Sequence, residues 1–260
     1  MRTFDTAMLD PTARFSDRVE DYVRHRPGYP SALMAWLRDA MGVAATWRVA
    51  DIGAGTGISS RMWLDAGHAV IGIEPNQAMR RAAQAAFQSS PDIAWVDGTA
   101  EKTGLADASV DLLSAAQAFH WFDPEPTHRE WSRILRPGGL AVVYWNSRVA
   151  QGDPFLEGYE RLLRAFGTDY AVVAERHQDD DAMKRWFGMG LRGTARFANQ
   201  QRLDFEGLRG RLLSSSYAPQ PGHPRHAGML VALRELFDAN AVDGHVVLDY
   251  AMRVFAGTVN

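Results

Sequence analysis

The segment Val49-Ala-Asp51-Ile-Gly53-Ala-Gly55-Thr-Gly57 restricts this chain more tightly than any other stretch. An apolar run, Trp47–Ile52, precedes it, and a helix-like run, Ile58–Ala66, follows and is closed by Gly67. Alternate glycines weaken the interior of a helix or strand, because glycine loses the most backbone freedom on ordering. They suit a sharp turn between the two, where a ligand can approach bare backbone. Amides at the start of the following helix favour an anionic group. The segment therefore predicts a strand, a tight turn and a helix, with a ligand site at the turn.

The same alternation runs on both sides of it. Ser31–Met41 has a helical apolar side (Leu33, Met34, Leu37, Ala40, Met41) and stops at Gly42. Ala69–Ile73 is a second buried strand, closed by Glu74. Asn76 is placed to cap a helix to about Phe87, with Met79, Ala83, Ala86 and Phe87 inward. Ile93–Val96 and Val110–Ala115 are the third and fourth strands. Asp123-Pro124 fits the cap and first position of a helix that stops at Arg136-Pro-Gly-Gly, and Leu140–Trp145 is the fifth strand. Apolar strands alternating with helices predict a parallel sheet covered on both faces. Later, Pro154–Phe166, Asp181–Phe187 and a run ending near Asn240 read as helices, and Thr194–Phe205 and His245–Phe255 as strands that pair antiparallel at the far edge. Residues 148–190 and 206–225 have no place in the sheet and are expected to cover the strand ends. The expected organisation is a single domain over 1–260: an N-terminal arm (1–30), a ligand-binding core (31–147), cover and substrate elements with a late strand (148–225), and a final helix and strand (226–260).

Composition narrows the function. There is no cysteine, which removes disulfides, thiolate metal sites and thiol nucleophiles. A net charge of −3 offers no basic footprint for nucleic acid. No apolar run reaches the ~18 residues that a membrane-spanning helix needs, and the N-terminus has no signal-peptide core, so a cytoplasmic protein is expected. The His223-Pro-Arg-His226 stretch and the Asp179-Asp180-Asp181 run lack metal-site spacing and read as a loop and a helix start, so no metal is expected.

Two carboxylates refine the ligand. Asp51 ends the first strand ahead of the glycines, and Glu74 ends the second, where a carboxylate can accept both hydroxyls of a ribose. A dinucleotide fingerprint needs G-x-G-x-x-G, but Ile58 stands at the third glycine position, and no Lys-Ser/Thr follows for a phosphate loop. An acidic residue before the glycines suits a cationic nucleoside without phosphates. S-adenosylmethionine has that character.

Asp51-x-Gly53-x-Gly55-x-Gly57 followed by Glu74 resembles the cofactor signature of class I S-adenosylmethionine-dependent methyltransferases. The likeness continues through Asp97-Gly-Thr-Ala100-Glu101, Val110-Asp111-Leu-Leu and Leu135-Arg-Pro-Gly-Gly139, and covers about residues 45–147. A narrower similarity, to small-molecule methyltransferases related to trans-aconitate methyltransferase, is carried by three segments. These are Phe15…Tyr22…Arg26-Pro27-x-Tyr29-Pro30, Gln117-Ala-Phe119-His120-Trp121-Phe122, and Ser214-Ser-Ser-Tyr217. The resemblance implies a Rossmann-like, doubly wound seven-stranded α/β sheet, mostly parallel with a late antiparallel strand, plus an arm and a helical cover.

It also implies roles. The backbone of Gly53, Ala54, Gly55 and Gly57 would lie against the methionine part, with Asp51 near its ammonium, directly or through water. Glu74 would hold the ribose, with Pro75 in the adenosine pocket. Asp97 would meet the adenine amino group, within the run Asp97, Gly98, Thr99 and Ala100. Gln117 would touch the methionine end. Tyr22 and Arg26 would contact or gate the cofactor from the arm, and the alternative is an amphipathic helix docked on the sheet edge. Trp121 and Tyr217 would face the acceptor. His120 has two readings, a base near the acceptor or a structural hydrogen-bonding group. Arg24, Arg26, Arg148, Arg211 and Arg225 are candidate holders of an acceptor carboxylate.

The expected reaction moves a methyl group from S-adenosylmethionine to a small-molecule acceptor, leaving S-adenosylhomocysteine. A carboxylate acceptor needs no base, whereas a hydroxyl, amine or acidic carbon would call on His120. The alternative is a non-catalytic S-adenosylmethionine-binding regulatory protein. The expected partners are a small acceptor and neither nucleic acid nor membrane, with a monomer or homodimer as the assembly.

Overall fold

The computed structural model describes residues 24–171 and 180–259. In chain order the elements begin with α1 (Ser31–Met41), β1 (Val49–Ile52), α2 (Ile58–Asp65), β2 (Val70–Ile73), α3 (Gln77–Ala86), β3 (Ile93–Val96) and β4 (Val110–Ala116). A 3-10 turn (Phe119–Trp121), α4 (Pro124–Ile134), β5 (Leu135–Arg148) and α5 (Pro154–Phe166) follow. The chain closes with α6 (Asp180–Phe187), a 3-10 turn (Gly188–Gly190), β6 (Leu191–Leu203), α7 (Phe205–Leu213), α8 (His226–Asn240) and β7 (Val246–Gly257).

One seven-stranded sheet runs in the order β3-β2-β1-β4-β5-β7-β6. The first five strands are parallel, and β7 is antiparallel to both β5 and β6. The expected doubly wound, mostly parallel sheet with its late antiparallel edge is what forms. The chain winds outward from β1 to β3, then returns to place β4 on the other side of β1. That reversal leaves a crevice above the carboxyl ends of β1 and β4, where open α/β sheets bind ligands.

Side-chain alternation feeds two layers. Ala141, Val143 and Trp145 of β5 join Trp131 and Ile134 of α4 on one face. Val142 and Tyr144 join Leu33 and Leu37 of α1 and Trp63 of α2 on the other. A third cluster lies beyond the end of β5. Tyr250 pairs with Arg148, the last residue of β5, so the start of β7 projects past it. Val246, Leu248 and Tyr250 pack there with α5, α7 and α8 through Tyr159, Leu212 and Leu233. These helices lie past the end of β5 and include the final helix, which is not among the segments expected to form a cover.

Three expectations need correction. α6 does not join the cover: Met183 and Phe187 pack with Trp131 and Phe119 in the α4 layer, because its apolar stripe meets the aromatic face there. Phe205 begins α7 instead of ending β6, since Asp204 accepts a hydrogen bond from the Gly207 amide and caps that helix. Ala86 is exposed, while Met79, Ala83 and Phe87 are buried.

Candidate cofactor and acceptor site

The glycine turn lies above β1 with backbone angles that side chains resist: Gly53, Gly55 and Gly57 have φ of 67°, 58° and 88°. Two of them also sit against neighbours. A Cβ on Gly53 would stand 2.7 Å from Ala118 Cβ, and one on Gly57 2.5 Å from the Phe87 ring. Beside the turn is a cleft of about 140 Å³. Its wall includes Gly53, Gly55, Glu74, Pro75, Met79, Thr99, Ala100, Gln117, Trp121 and Phe122. A smaller cavity shares Gly53 and Gln117 with it and adds Ala54 and Arg26.

Glu74 is buried at the tip of β2 and aimed at the turn. Its two oxygens accept from the amides of Gly55 and Asn76, each at 2.8 Å. Burial raises its pKa, opposed by those two amides and by the Arg80 cation. Arg80 also donates to the Glu74 and Pro75 carbonyls and pairs with Asp97 at 2.7 Å. The tips of β2 and β3 are thus tied together under the cleft.

Asp51 sits beneath the glycine turn. It is fully buried and does not line the cleft. Ser59 and Ser60 of α2 donate to one oxygen at 2.6 and 2.7 Å, and Ser114 of β4 donates to the other at 3.0 Å. Burial lifts its pKa against those three hydroxyls. Its work here is to pin α2 and β4 to β1 beneath the glycines. Asp97 also misses the cleft: its side chain is 71% exposed and held by Arg80. Gly98 forms the turn behind it, where a Cβ would meet the Thr103 carbonyl at 2.7 Å. Gly57 lines an outer groove with Tyr29 and Arg61 instead of the cleft.

Gln117 follows β4 with φ 57°, uncommon for a residue with a side chain, and its side-chain nitrogen donates to the Asn146 carbonyl at 3.2 Å. Such backbone strain persists where surrounding structure imposes it, often at ligand sites. Trp121 lines the cleft, and the His120 ring lies tilted beside it, 4.8 Å between centroids, without reaching the lining. Tyr22 lies outside the described residues. Arg26 donates to both the hydroxyl and carbonyl of Ser214. Tyr217 is buried in the cover against Arg148, apart from the cleft lining. Among the described residues no group of three or more His, Cys, Asp or Glu side chains could hold a metal ion.

Several contributors escaped the sequence reading. Ser59, Ser60 and Ser114 look like ordinary polar residues until Asp51 is seen among them. Asn146 and Asn199 clamp the arm, both donating to the Gly28 carbonyl at 3.2 and 2.9 Å. The one available signal was Asn146, an amide next to the apolar run of the fifth strand.

Residues 50–143 match the methyltransferase domain family. An uncharacterized methyltransferase of Mycobacterium tuberculosis is 39% identical over 167 residues, 64% of each chain. A demethylmenaquinone methyltransferase of Renibacterium salmoninarum is 33% identical over 135 residues, 50% of this chain and 55% of the relative. The chain thus spans under two thirds of these relatives' length. Among solved structures, a candidate type II methyltransferase of Anaeromyxobacter dehalogenans superposes with TM-score 0.67 at 23% identity, covering 90% of this chain and 98% of that one. A Haemonchus contortus phosphoethanolamine N-methyltransferase, solved with phosphomonomethylethanolamine and S-adenosylhomocysteine, gives TM-score 0.57 at 14% identity, covering 96% and 59%. These likenesses are of fold. Residues 50–143 thus resemble a methyltransferase domain, and the fold is the one that these solved structures share.

Proposed function

We propose that this chain binds S-adenosylmethionine in the cleft above β1 and β4 and methylates a small-molecule acceptor. The observation that carries this reading is Glu74, buried at the tip of β2 and fixed by the Gly55 amide at 2.8 Å. Each of its oxygens keeps a second lone pair, so a ribose diol can be accepted without breaking that bond. The bare backbone at Gly53 and the apolar wall of Met79, Ala100 and Phe122 suit the rest of an adenosine. The bound cofactor would supply a methyl group already activated on a sulfonium.

The protein's share is then mostly positioning and exclusion of water. Gln117 and Gly53 border both cavities and would hold the methionine end. Thr99 and Ala100 would border the adenine. Arg26 would close the small cavity from the arm. Asp51 would act indirectly, by holding the glycine turn. Trp121 would face the acceptor, and His120 beside it would take a proton from a hydroxyl, amine or acidic carbon. Calorimetric titration with S-adenosylmethionine and S-adenosylhomocysteine tests the reading: saturable one-to-one binding is expected, and no binding of either overturns it.

A further inference from the structure

Among the described residues, two guanidinium groups in the cover have too few carboxylates to balance them. Arg148, at the end of β5, donates to the hydroxyls of Tyr217 at 3.0 Å and Tyr170 at 2.8 Å. Arg211 in α7 is 4% exposed and donates to Tyr250 at 3.2 Å and Ser215 at 3.1 Å. Glu160 is the described carboxylate within reach of Arg148, at 3.7 Å, and it is shared with Arg164 at 2.9 Å. Among the described residues Arg211 has no carboxylate within 4.0 Å, and its second terminal nitrogen donates to no described atom. Buried cations are ordinarily paired.

Burial raises the pKa of the neighbouring Tyr159 and Tyr170 phenols, but Tyr217 responds to the cations. Burial by itself would raise the Tyr217 pKa, yet the Arg148 and Arg211 cations outweigh it and bring the group to about 8. The cluster is tied to the cleft. Asn146, two residues before Arg148, receives the Gln117 amide through its carbonyl. The Ser214 hydroxyl, bonded to Arg26, donates to the Arg211 carbonyl.

We propose that Arg148 and Arg211, with the hydroxyl of Tyr217, bind an anionic group, carboxylate or phosphate, on the methyl acceptor. This rests on the cleft being the cofactor site. The anionic group is an anchor: two forked donors fix it while the rest of the acceptor reaches toward Gln117 and Trp121.

The experiment uses the full chain saturated with S-adenosylhomocysteine. Succinate, inorganic phosphate and uncharged succinamide are titrated separately, by calorimetry and by phenolate absorbance near pH 8. Expected are binding of at least one anion, suppression of a phenolate signal that is missing in Tyr217→Phe, and no response to succinamide. Arg148→Met and Arg211→Met should each weaken anion binding about tenfold or more, as loss of a charge-assisted pair predicts. Their affinity for S-adenosylhomocysteine should stay within about twofold, because neither residue borders the cleft. Succinate alone binding assigns a carboxylate, and phosphate alone a phosphorylated acceptor. Should either variant not fold, the wild-type phenolate response decides. No anion binding, equal binding of succinamide, or anion binding unchanged in a folded variant overturns the proposal. Failure of S-adenosylhomocysteine itself to bind instead overturns the cofactor reading.

Discussion

At the scale of single residues, the two strand-end carboxylates divide the labour by depth. Glu74 faces the cleft and Asp51 lies under it, although both are acidic residues ending apolar strands. Glu74→Ala removes the acceptor of the Gly55 and Asn76 amides and, on the proposed reading, of the ribose. Affinity for S-adenosylhomocysteine should fall by about 10- to 100-fold, on the scale of one or two lost hydrogen bonds to a charged group, and calorimetry reads it directly. Away from the cleft, Glu130 gives a pH signature. Burial pushes its pKa up, but Arg133 and the Thr103 hydroxyl and amide outweigh that and hold it at about 2. A depressed carboxyl binds its proton less tightly in the folded chain than in the unfolded one. Its stabilisation is therefore complete above about pH 4.5 and is lost as pH falls toward 2. Melting temperature against pH should be flatter over that window in Glu130→Gln than in the wild type.

Among elements, the glycine turn is the least replaceable. Gly57 combines φ of 88° with a Phe87 ring 2.5 Å from any Cβ. Gly57→Ala should cost about 2–3 kcal/mol in urea unfolding, from left-handed strain plus displacement of the ring. Gly55 has φ of 58° but nothing within 4 Å of a Cβ, so Gly55→Ala should cost less, about 1–2 kcal/mol. Spacing alone shows three equivalent glycines. Their ranking depends on Phe87 and Trp95, which α3 and β3 bring under the turn.

Across the whole molecule, the arm is fastened to residues far away in sequence. Asn199 of β6 reaches the Gly28 carbonyl and the Asn146 side chain, and Gln201 reaches the His25 carbonyl. These bonds join the arm to the far edge of the sheet, across a cavity bordered by Arg26 and Gln117. Asn199→Ala should lower stability by only about 1 kcal/mol, the usual net value of such bonds. It should weaken S-adenosylhomocysteine binding by more than that loss of stability alone explains, because the arm closes the small cavity. Paired calorimetry and denaturation separate the two effects.

The sequence by itself determined the layered sheet, its winding and the location of the crevice at the reversal of winding. Those features rest on local signals: apolar runs of strand length, glycines that only a turn accommodates, and caps such as Asn76, whose side chain accepts from the Met79 amide as its position predicted. It also marked Glu74 and Gln117, since strand ends at a reversal of winding border the crevice whatever their neighbours are. Only the tertiary structure decided which acidic residue faces the cleft. Burial depth at Asp51 is set by serines 8, 9 and 63 residues away, and exposure at Asp97 by Arg80. The same holds for the cover. The arginines at 148 and 211 are unremarkable charges in sequence, and they become an electrostatic site because β7 overshoots β5 and folds α5 and α7 around them. Local periodicity specifies elements, whereas charge balance depends on distances between elements, which periodicity does not carry.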